Sequence, residues 1–171
     1  HGQKTAKSVL LVHGIYSSPL YFKGMADAYF KAGMNVVTVL LPGHWEKNFQ
    51  SLNTVQNIEW SREVDKGYEI AKSLGDQVIL SGHSLGGLLS IEQSLKRPSH
   101  EIHSLVLISP ALKVWNAVLL ACRAGVAFNL SGNHFNFSKP DGIQIPYFAP
   151  VAGPLIQTLA DRVLVKPITR P

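Results

Sequence analysis

The feature that most constrains this chain is a glycine-rich hexapeptide, G-H-S-L-G-G, at residues 82–87. It follows an apolar run at residues 78–81 and precedes a segment of helical spacing at residues 85–97. A tight turn between strand and helix leaves no room for Cβ atoms two residues before and two residues after the serine. The sequence therefore predicts that Ser84 is strained and that its hydroxyl is raised above a sheet.

Four short apolar runs divide the first 110 residues. Each is rich in branched side chains and lacks polar alternation, which is typical of strands covered by helices on both faces. The runs are residues 9–12, 36–41, 78–80 and 105–108. Segments of helical character lie between them, at residues 19–32, 57–74 and 85–97. This alternation predicts an α/β fold with a parallel sheet and right-handed crossovers.

Breaker residues mark where the predicted helices end. Gly33 and Gly75 follow the first two helices, and Pro98 cannot continue the third. The second helix is expected to bury one apolar stripe against the sheet. That stripe is predicted to consist of Ile58, Val64, Tyr68 and Ala71.

Composition excludes several classes of protein. Hydrophobic residues make up 46% and charged residues 16% of the 171 residues, which indicates a globular core. The net charge of +5 comes from scattered cations, so no nucleic-acid tract is present in the sequence. The most apolar stretch, residues 114–130, is interrupted by Asn116, Arg123 and Asn129 and is not expected to form a transmembrane segment. Cys122 is interpreted as a small buried apolar residue.

The character of the chain changes after Pro110. Residues 111–166 hold one long apolar segment, then irregular sequence rich in Gly, Asn and Pro, then helical spacing at residues 155–165. We predict a core in residues 1–110, a cap over the sheet in residues 111–166, and the start of a further core segment in residues 167–171. Two interpretations of residues 114–130 stay open: core of the cap, or part of the wall of an acyl channel.

A second motif, His13-Gly14-Ile15-Tyr16, follows the first strand. A carbonyl attacked by Ser84 becomes an oxyanion, which backbone N–H groups can stabilise. We expect these donors to be the amides of Ile15 and Leu85. For both to meet one oxygen, the first and third strands must be neighbours, which predicts the strand order 2-1-3-4. His13 itself is interpreted as a hydrogen-bonding shaper of its loop.

Taken together, these motifs resemble the bacterial carboxylesterases and monoacylglycerol lipases of the α/β-hydrolase superfamily. The resemblance covers about residues 8–110 and rests on four motifs in matching order: His13-Gly14, Leu41-Pro42-Gly43-His44, Glu59-Trp60 and the hexapeptide at residues 82–87. It implies that Ser84 is the nucleophile, that Ile15 and Leu85 form the oxyanion hole, and that the segment after Pro110 shapes the acyl site. His44 is interpreted as fixing its loop, and Trp60 as a packing residue.

The base and acid that a catalytic serine needs are not evident in the sequence. By the resemblance they follow Ser84 on later strands, so we expect them beyond residue 171, with about 80 to 100 residues of a complete enzyme absent. His100 and His103 precede the fourth strand and so lie at the wrong end of the sheet. The other candidates are His134, Asp141 and Asp161, of which His134 and Asp141 come in reverse order. The chain alone is expected to be nearly inactive.

The leading hypothesis is hydrolysis of a small-molecule ester or lipid, with short to medium acyl chains or a monoglyceride-like substrate. Thioester hydrolysis or acyl transfer at the same serine is an alternative, as is a non-catalytic binding module with this fold. No metal or cofactor is implied, because the histidines lack ligand spacing and there is no phosphate-binding loop. The fourth strand, at residues 105–108, is expected to leave an apolar edge that self-associates or is covered by the cap.

Overall fold

The computed structural model of the protein describes residues 2–45, 50–127, 137–138, 144–145 and 151–164. Its main sheet contains four parallel strands: β1 (Thr5–Val12), β2 (Asn35–Val39), β3 (Gly75–His83) and β4 (Ile102–Ile108). The helices are α1 (Lys23–Lys31), α2 (Asn57–Leu74), α3 (Leu85–Lys96), α4 (Asn116–Ala127) and α5 (Ala152–Leu164). Short 3-10 turns occur at Pro19–Phe22, Gln50–Asn53 and Ser99–Glu101, and Phe137–Ser138 pairs with Gln144–Ile145 as a small antiparallel ladder, β5 and β6.

The order of the main sheet is β2-β1-β3-β4, which confirms the predicted order and the α/β class. In the register, Val12 lies beside both Val39 and Gly82, and His83 lies beside Ile108. The carboxyl ends of the four strands therefore reach the same edge of the sheet. This is the edge at which ligands bind in open parallel sheets.

Local chemistry explains where the helices begin and end. A capping box opens α2, because the Gln56 N–H donates to the Glu59 carboxylate at 2.8 Å. The end of α1 is a Schellman motif, in which Gly33 has a φ of 84° and its amide and that of Met34 donate back to Phe30 and Tyr29. Gly75 has another role. It is extended, and a Cβ there would overlap the backbone nitrogen of Ser8 on β1.

The predicted helix at residues 19–32 is split in the structure. Residues Pro19–Phe22 form a 3-10 turn, and the α-helix begins only at Lys23. Phe22, the last residue of this turn, is fully buried in the apolar cluster that contains Val9 and Leu11 of β1. The predicted strand at residues 36–41 ends earlier, at Val39, and Leu41 belongs to the loop that follows.

Two apolar clusters cover the two faces of the sheet. The larger one packs α2, α3 and α5 on one face, and at its centre Leu10 and Val12 of β1 meet Trp60 of α2. The smaller one packs Phe22 and the partly buried face of α1 on the other side, against Val9 and Leu11. Trp60 is fully buried and donates its indole N–H to the Pro42 carbonyl at 3.0 Å, which confirms its packing role.

The stripe predicted for α2 was wrong at one position. Val64, Tyr68 and Ala71 are buried, but Ile58 is 37% exposed, and Trp60 lies on the buried face instead. At about 100° per residue, Ile58 is roughly 240° from Val64 around the helix and cannot share its face.

None of the described helices has the length and apolar character that a membrane-spanning helix needs. The division into core and cap at residue 110 stays a prediction.

Helix α2 and helix α1 each contain a glycine whose substitution tests this packing. A Cβ on Gly67 of α2 would overlap Val39 and lie 3.0 Å from Leu10, whereas a Cβ on Gly24 of α1 would meet nothing within 4 Å. We expect Gly67→Ala to lower the free energy of unfolding by about 1–3 kcal/mol through overpacking. Gly24→Ala should raise it by about 0.5–1 kcal/mol. Urea unfolding of both variants would measure this, and equal effects would contradict the packing described.

Strand β4 is one of the two edge strands of the main sheet in the described residues. Its residues are half-buried or exposed, with Leu107 37% exposed, while β1 and β3 have fully buried centres. Self-association through this edge stays a prediction. We expect the chain to sediment as a dimer or larger species and Leu107→Lys to shift it toward monomer, because a charge on an edge strand opposes pairing. A wild-type chain that sediments as a monomer with β4 exposed would contradict it.

Candidate active site

Ser84 occupies the turn between β3 and α3. His83 is the last residue of the strand and Leu85 the first of the helix. Ser84 has φ 52° and ψ −118°, a conformation that residues other than glycine rarely adopt. Its side chain is half-buried rather than enclosed in the core. The strained conformation predicted from the hexapeptide is therefore present.

Three glycines make this turn possible. A Cβ on Gly82 would overlap the backbone of Gly86, and a Cβ on Gly86 would overlap the carbonyl of Val12 at the end of β1. A Cβ on Gly87 would lie 2.9 Å from the Cβ of Pro110. The first turn of α3 is thus pressed against the ends of β1 and β3 and against the loop after β4.

Hydrogen bonds from the loop after β4 hold Ser84 in its strained conformation. The Ser84 N–H donates to the carbonyl of Ile108 at 3.0 Å. The Ser84 carbonyl accepts from the N–H of Ala111 at 3.0 Å and from that of Leu88 at 3.2 Å. A conformation that costs about 1–3 kcal/mol persists where the surroundings fix it in this way.

Backbone strain is concentrated at this edge of the sheet. Among the described residues other than glycine, positive φ angles occur at Tyr16, Ser84 and Ser109. These residues follow β1, β3 and β4 respectively, and these three strands are neighbours. Clustered strain of this kind is characteristic of sites where function fixes the backbone.

The two predicted oxyanion donors flank Ser84. Leu85 is the first residue of α3, where an amide N–H has no acceptor within the helix and the helix dipole is positive. Ile15 follows Gly14, and a Cβ on Gly14 would lie 3.0 Å from the Cβ of Ser84. Neither amide donates to another backbone group in the part of the chain that is described. The structure brings both loops together, and their role as donors stays a prediction.

His13 shapes the loop that carries Ile15, as predicted. It is buried, and its Nδ1 donates to the Gly14 carbonyl at 2.8 Å while its Nε2 accepts from the Leu41 N–H at 3.1 Å. An imidazole that donates and accepts at once is neutral. Burial lowers the pKa of His13 to about 4, so it stays neutral at physiological pH. Its hydrogen bonds connect the loop after β1 to the loop after β2.

His44 supports the same loop. Its Nδ1 donates to the carbonyls of Leu41 and Pro42 at 3.2 and 3.1 Å, and its ring meets that of His13 edge-on at 4.8 Å. Burial lowers the pKa of His44 too. Both histidines are therefore structural in the described residues.

The remaining acid and base candidates that the structure describes form no hydrogen bond with Ser84. His100 and His103 lie at the start of β4, at the opposite end of the sheet, as predicted. Asp161 of α5 accepts a hydrogen bond from Gln157 at 2.7 Å. His134 and Asp141 lie outside the described residues. In the described part of the chain, no histidine or carboxylate forms a hydrogen bond with the Ser84 hydroxyl.

One contact of the site was not predicted from the sequence. The ring of Tyr21, in the 3-10 turn Pro19–Phe22, stacks on the imidazole of His83 with centroids 4.7 Å apart and an interplanar angle of 25°. The two residues are 62 positions apart, and no periodicity connects them. Only the sheet order, which places the loop after β1 beside the end of β3, could have suggested the contact.

An apolar groove lies between α4 and α5. It has a volume of about 390 Å³, within the range typical of small-molecule sites. Its lining comprises Arg123, Val126, Ala127, Val151, Pro154 and Leu155. Cys122 is buried beside it, where its Sγ would lie 2.7 Å from a Cβ on Gly153. Helix α4 therefore contributes one buried contact and part of a groove wall, so both interpretations of residues 114–130 stay open.

The pKa of His13 gives the site a pH dependence of stability. Its folded pKa of about 4 lies below the ordinary histidine pKa of 6.5, so the unfolded chain binds the proton first as pH falls. Up to about 3 kcal/mol of stability is expected to be lost between pH 6.5 and 4. In His13→Gln, which keeps an acceptor for Leu41, this loss should be absent. Chemical unfolding of the wild type and of His13→Gln at pH 7 and 4.5 would measure the difference in the free energy of unfolding. An equal loss in both proteins would contradict the prediction.

The model of the alpha/beta hydrolase family matches residues 9–168. A thermostable monoacylglycerol lipase of Bacillus sp. (strain H-257) is 30% identical over 106 residues, which are 62% of this chain and 41% of that protein. Phospholipase YtpA of Bacillus subtilis (strain 168) is 28% identical over 132 residues, or 77% of this chain and 49% of that protein. The chain spans less than half the length of each relative.

Solved structures show the same fold. A structure from the metagenome-derived lipolytic enzymes LipS and LipT covers 94% of this chain and 66% of its own, with a TM-score of 0.77 at 20% identity. The monoacylglycerol lipase of Paleococcus ferrophilus covers 95% of this chain and 68% of its own, with a TM-score of 0.66 at 20% identity. With the strand order, the turn at Ser84 and the family match over nearly the whole chain, the protein belongs to the alpha/beta hydrolase family.

Proposed function

We propose that the complete protein is a serine hydrolase that cleaves carboxylic esters through an acyl-enzyme on Ser84. The observation that carries this proposal is the conformation of Ser84 at the carboxyl edge of the sheet, with φ 52° between β3 and α3. A fold that served only to bind a partner has no need of this strain. Relatives named monoacylglycerol lipase and phospholipase support ester hydrolysis.

In the proposed reaction, the Ser84 Oγ attacks the ester carbonyl carbon as its proton passes to a base. The carbonyl oxygen becomes an oxyanion, stabilised by the N–H groups of Ile15 and Leu85 and by the positive end of the α3 dipole. Collapse breaks the bond to the alcohol, which leaves with the proton, and water then releases the acid from Ser84. The resemblance assigns the base to a histidine, and its orienting acid to a second residue, both beyond residue 171.

The proposed substrate is a small ester or a lipid with a short to medium acyl chain, such as a monoglyceride. The groove between α4 and α5 supports an apolar group, because five of its six described lining residues are apolar. The relatives named lipase and phospholipase agree with this class. Attack on the same acyl-enzyme by another nucleophile would make the protein a thioesterase or acyltransferase, which the assay below distinguishes by product.

The chain of 171 residues alone is proposed to have little activity. It holds the strained serine and the two predicted donors, while no described residue acts as base toward Ser84. Enzymes with a triad member removed retain only residual catalysis from the oxyanion hole and binding. The tests therefore use the complete protein.

The first test is labelling of the complete protein with a fluorophosphonate probe, together with hydrolysis of p-nitrophenyl butyrate. We expect one adduct, on Ser84, and a loss of kcat of at least about 10³-fold in Ser84→Ala. The matched control is Ser73→Ala, a serine at the end of α2 whose hydroxyl bonds only within its own helix, to Ile70. Its labelling and kcat should be unchanged.

Three outcomes would decide against the proposal. An unlabelled, well-folded complete protein would favour a binding module. An adduct on another residue, with Ser84→Ala fully active, would remove Ser84 as nucleophile. Turnover of an acyl-thioester at a rate far above that of the matching oxygen ester would favour the thioesterase alternative.

A further inference from the structure

We infer that Tyr21 is a positioning residue for the oxyanion loop and that it acts through the imidazole of His83. The inference rests on the proposed function, because it assigns a role in the same site. It is carried by two neighbours of the His83 imidazole, the Tyr21 ring stacked on its face and the Gly14 backbone, next to Ile15, close to its Nδ1.

On one side, the Tyr21 ring covers the imidazole. The centroids are 4.7 Å apart and the planes differ by 25°, which is an offset stack rather than an edge contact. Tyr21 is 50% exposed, so much of its ring faces solvent. Its contribution to the core is therefore small, and the stack on His83 is its main directional contact.

At its edge, the imidazole approaches Gly14 through Nδ1. A Cβ on Gly14 would be 3.0 Å from His83 Nδ1 and 3.2 Å from the His83 carbonyl. A Cβ at position 14 would crowd both the imidazole and the Ser84 Cβ, so one of these neighbours would have to shift. The His83 ring therefore contacts Tyr21 and lies close to the Gly14 backbone, and Ile15 is the next residue in that loop.

The turn that carries Tyr21 is anchored independently of this contact. The Tyr21 N–H donates to the Ser18 carbonyl at 3.1 Å, and Phe22 is fully buried beneath the sheet. The rings of Tyr21 and Phe22 meet edge-on at 5.3 Å. Tyr21 is thus held in place by its own turn, and it contacts the His83 ring from there.

The expected consequence of losing the Tyr21 ring is weaker stabilisation of the oxyanion. If the ring of His83 moves into the space left by Tyr21, Gly14 loses its support and the Ile15 amide shifts relative to Ser84. A donor aimed at the oxyanion acts only in the transition state, so its displacement lowers kcat and leaves KM nearly unchanged. A side chain that merely contacted substrate would instead change KM.

The test uses the complete protein and p-nitrophenyl butyrate hydrolysis. We expect Tyr21→Ala to lower kcat about 2- to 10-fold, the range that corresponds to loss of an aromatic pair, with KM changed less than about 2-fold. Tyr21→Phe keeps the stack and should restore the wild-type kcat. Leu20→Ala, at the exposed neighbouring position in the same turn, is the matched control and should leave kcat unchanged.

A double-mutant cycle separates the proposed route from general loosening of the fold. In the His83→Ala background, Tyr21→Ala should have no further effect on kcat, because the ring through which it acts is gone. An equal loss in both backgrounds, or a rise in KM at constant kcat, would overturn the inference. If Tyr21→Ala unfolds, Tyr21→Thr, which keeps a polar side chain at this half-exposed position but leaves most of the space of the ring empty, should show the same loss in kcat.

Failure of this inference can be told from failure of the proposed function. If the Ser84→Ala variant is active and the probe does not label the wild type, the proposed serine hydrolase itself is wrong. If the Ser84→Ala variant is inactive but the Tyr21→Ala variant keeps full kcat, only the positioning role of Tyr21 is wrong.

Discussion

The close approach of α3 to the end of β1 is the constraint on which the rest of the site depends. Gly86 lies so near the Val12 carbonyl that no Cβ fits between them, and Gly82 is equally close to Gly86. With helix and strand in this contact, one residue must reverse the chain between β3 and α3. That residue is Ser84, and its positive φ follows from the geometry of the reversal. The strained conformation of Ser84 is thus a result of packing.

Neighbouring strands stabilise this reversal. β3 lies between β1 and β4, so the loops that follow these two neighbouring strands both contact Ser84. The loop after β4 supplies two hydrogen bonds to its backbone, through Ile108 and Ala111. The loop after β1 brings Gly14 against its side chain, and His13 ties that loop to Leu41. The strand order was inferable from the chemistry because an oxyanion site needs both loops at one point.

Much of this could be predicted from the sequence, and the failures have physical reasons. Glycines at positions 82, 86 and 87 mark a turn whose geometry is strict, so fold class, strand order and the strain at Ser84 followed. The predicted buried stripe of α2 was wrong at Ile58, because it followed apolar character and not the angular position around the helix. Trp60 is buried on that face instead. The stack of Tyr21 on His83 could not be found, since it depends on how a 3-10 turn is oriented by Phe22. Contacts set by tertiary packing leave no local pattern.

Helix α5 links the segment after Pro110 to the helix that begins at the nucleophile. Arg162 of α5 donates to Glu92 of α3 at 2.7 Å and to Ser61 of α2 at 3.1 Å. The Glu92 side chain is nearly buried and Arg162 is partly exposed, so this ion pair joins α5 to α3 at the rim of the core. The groove wall and the turn at Ser84 therefore share one rigid support, because α5 lines the first and α3 begins at the second. A shift of α5 would change both the width of the groove and the position of α3. The groove and the turn at Ser84 are therefore coupled through α5.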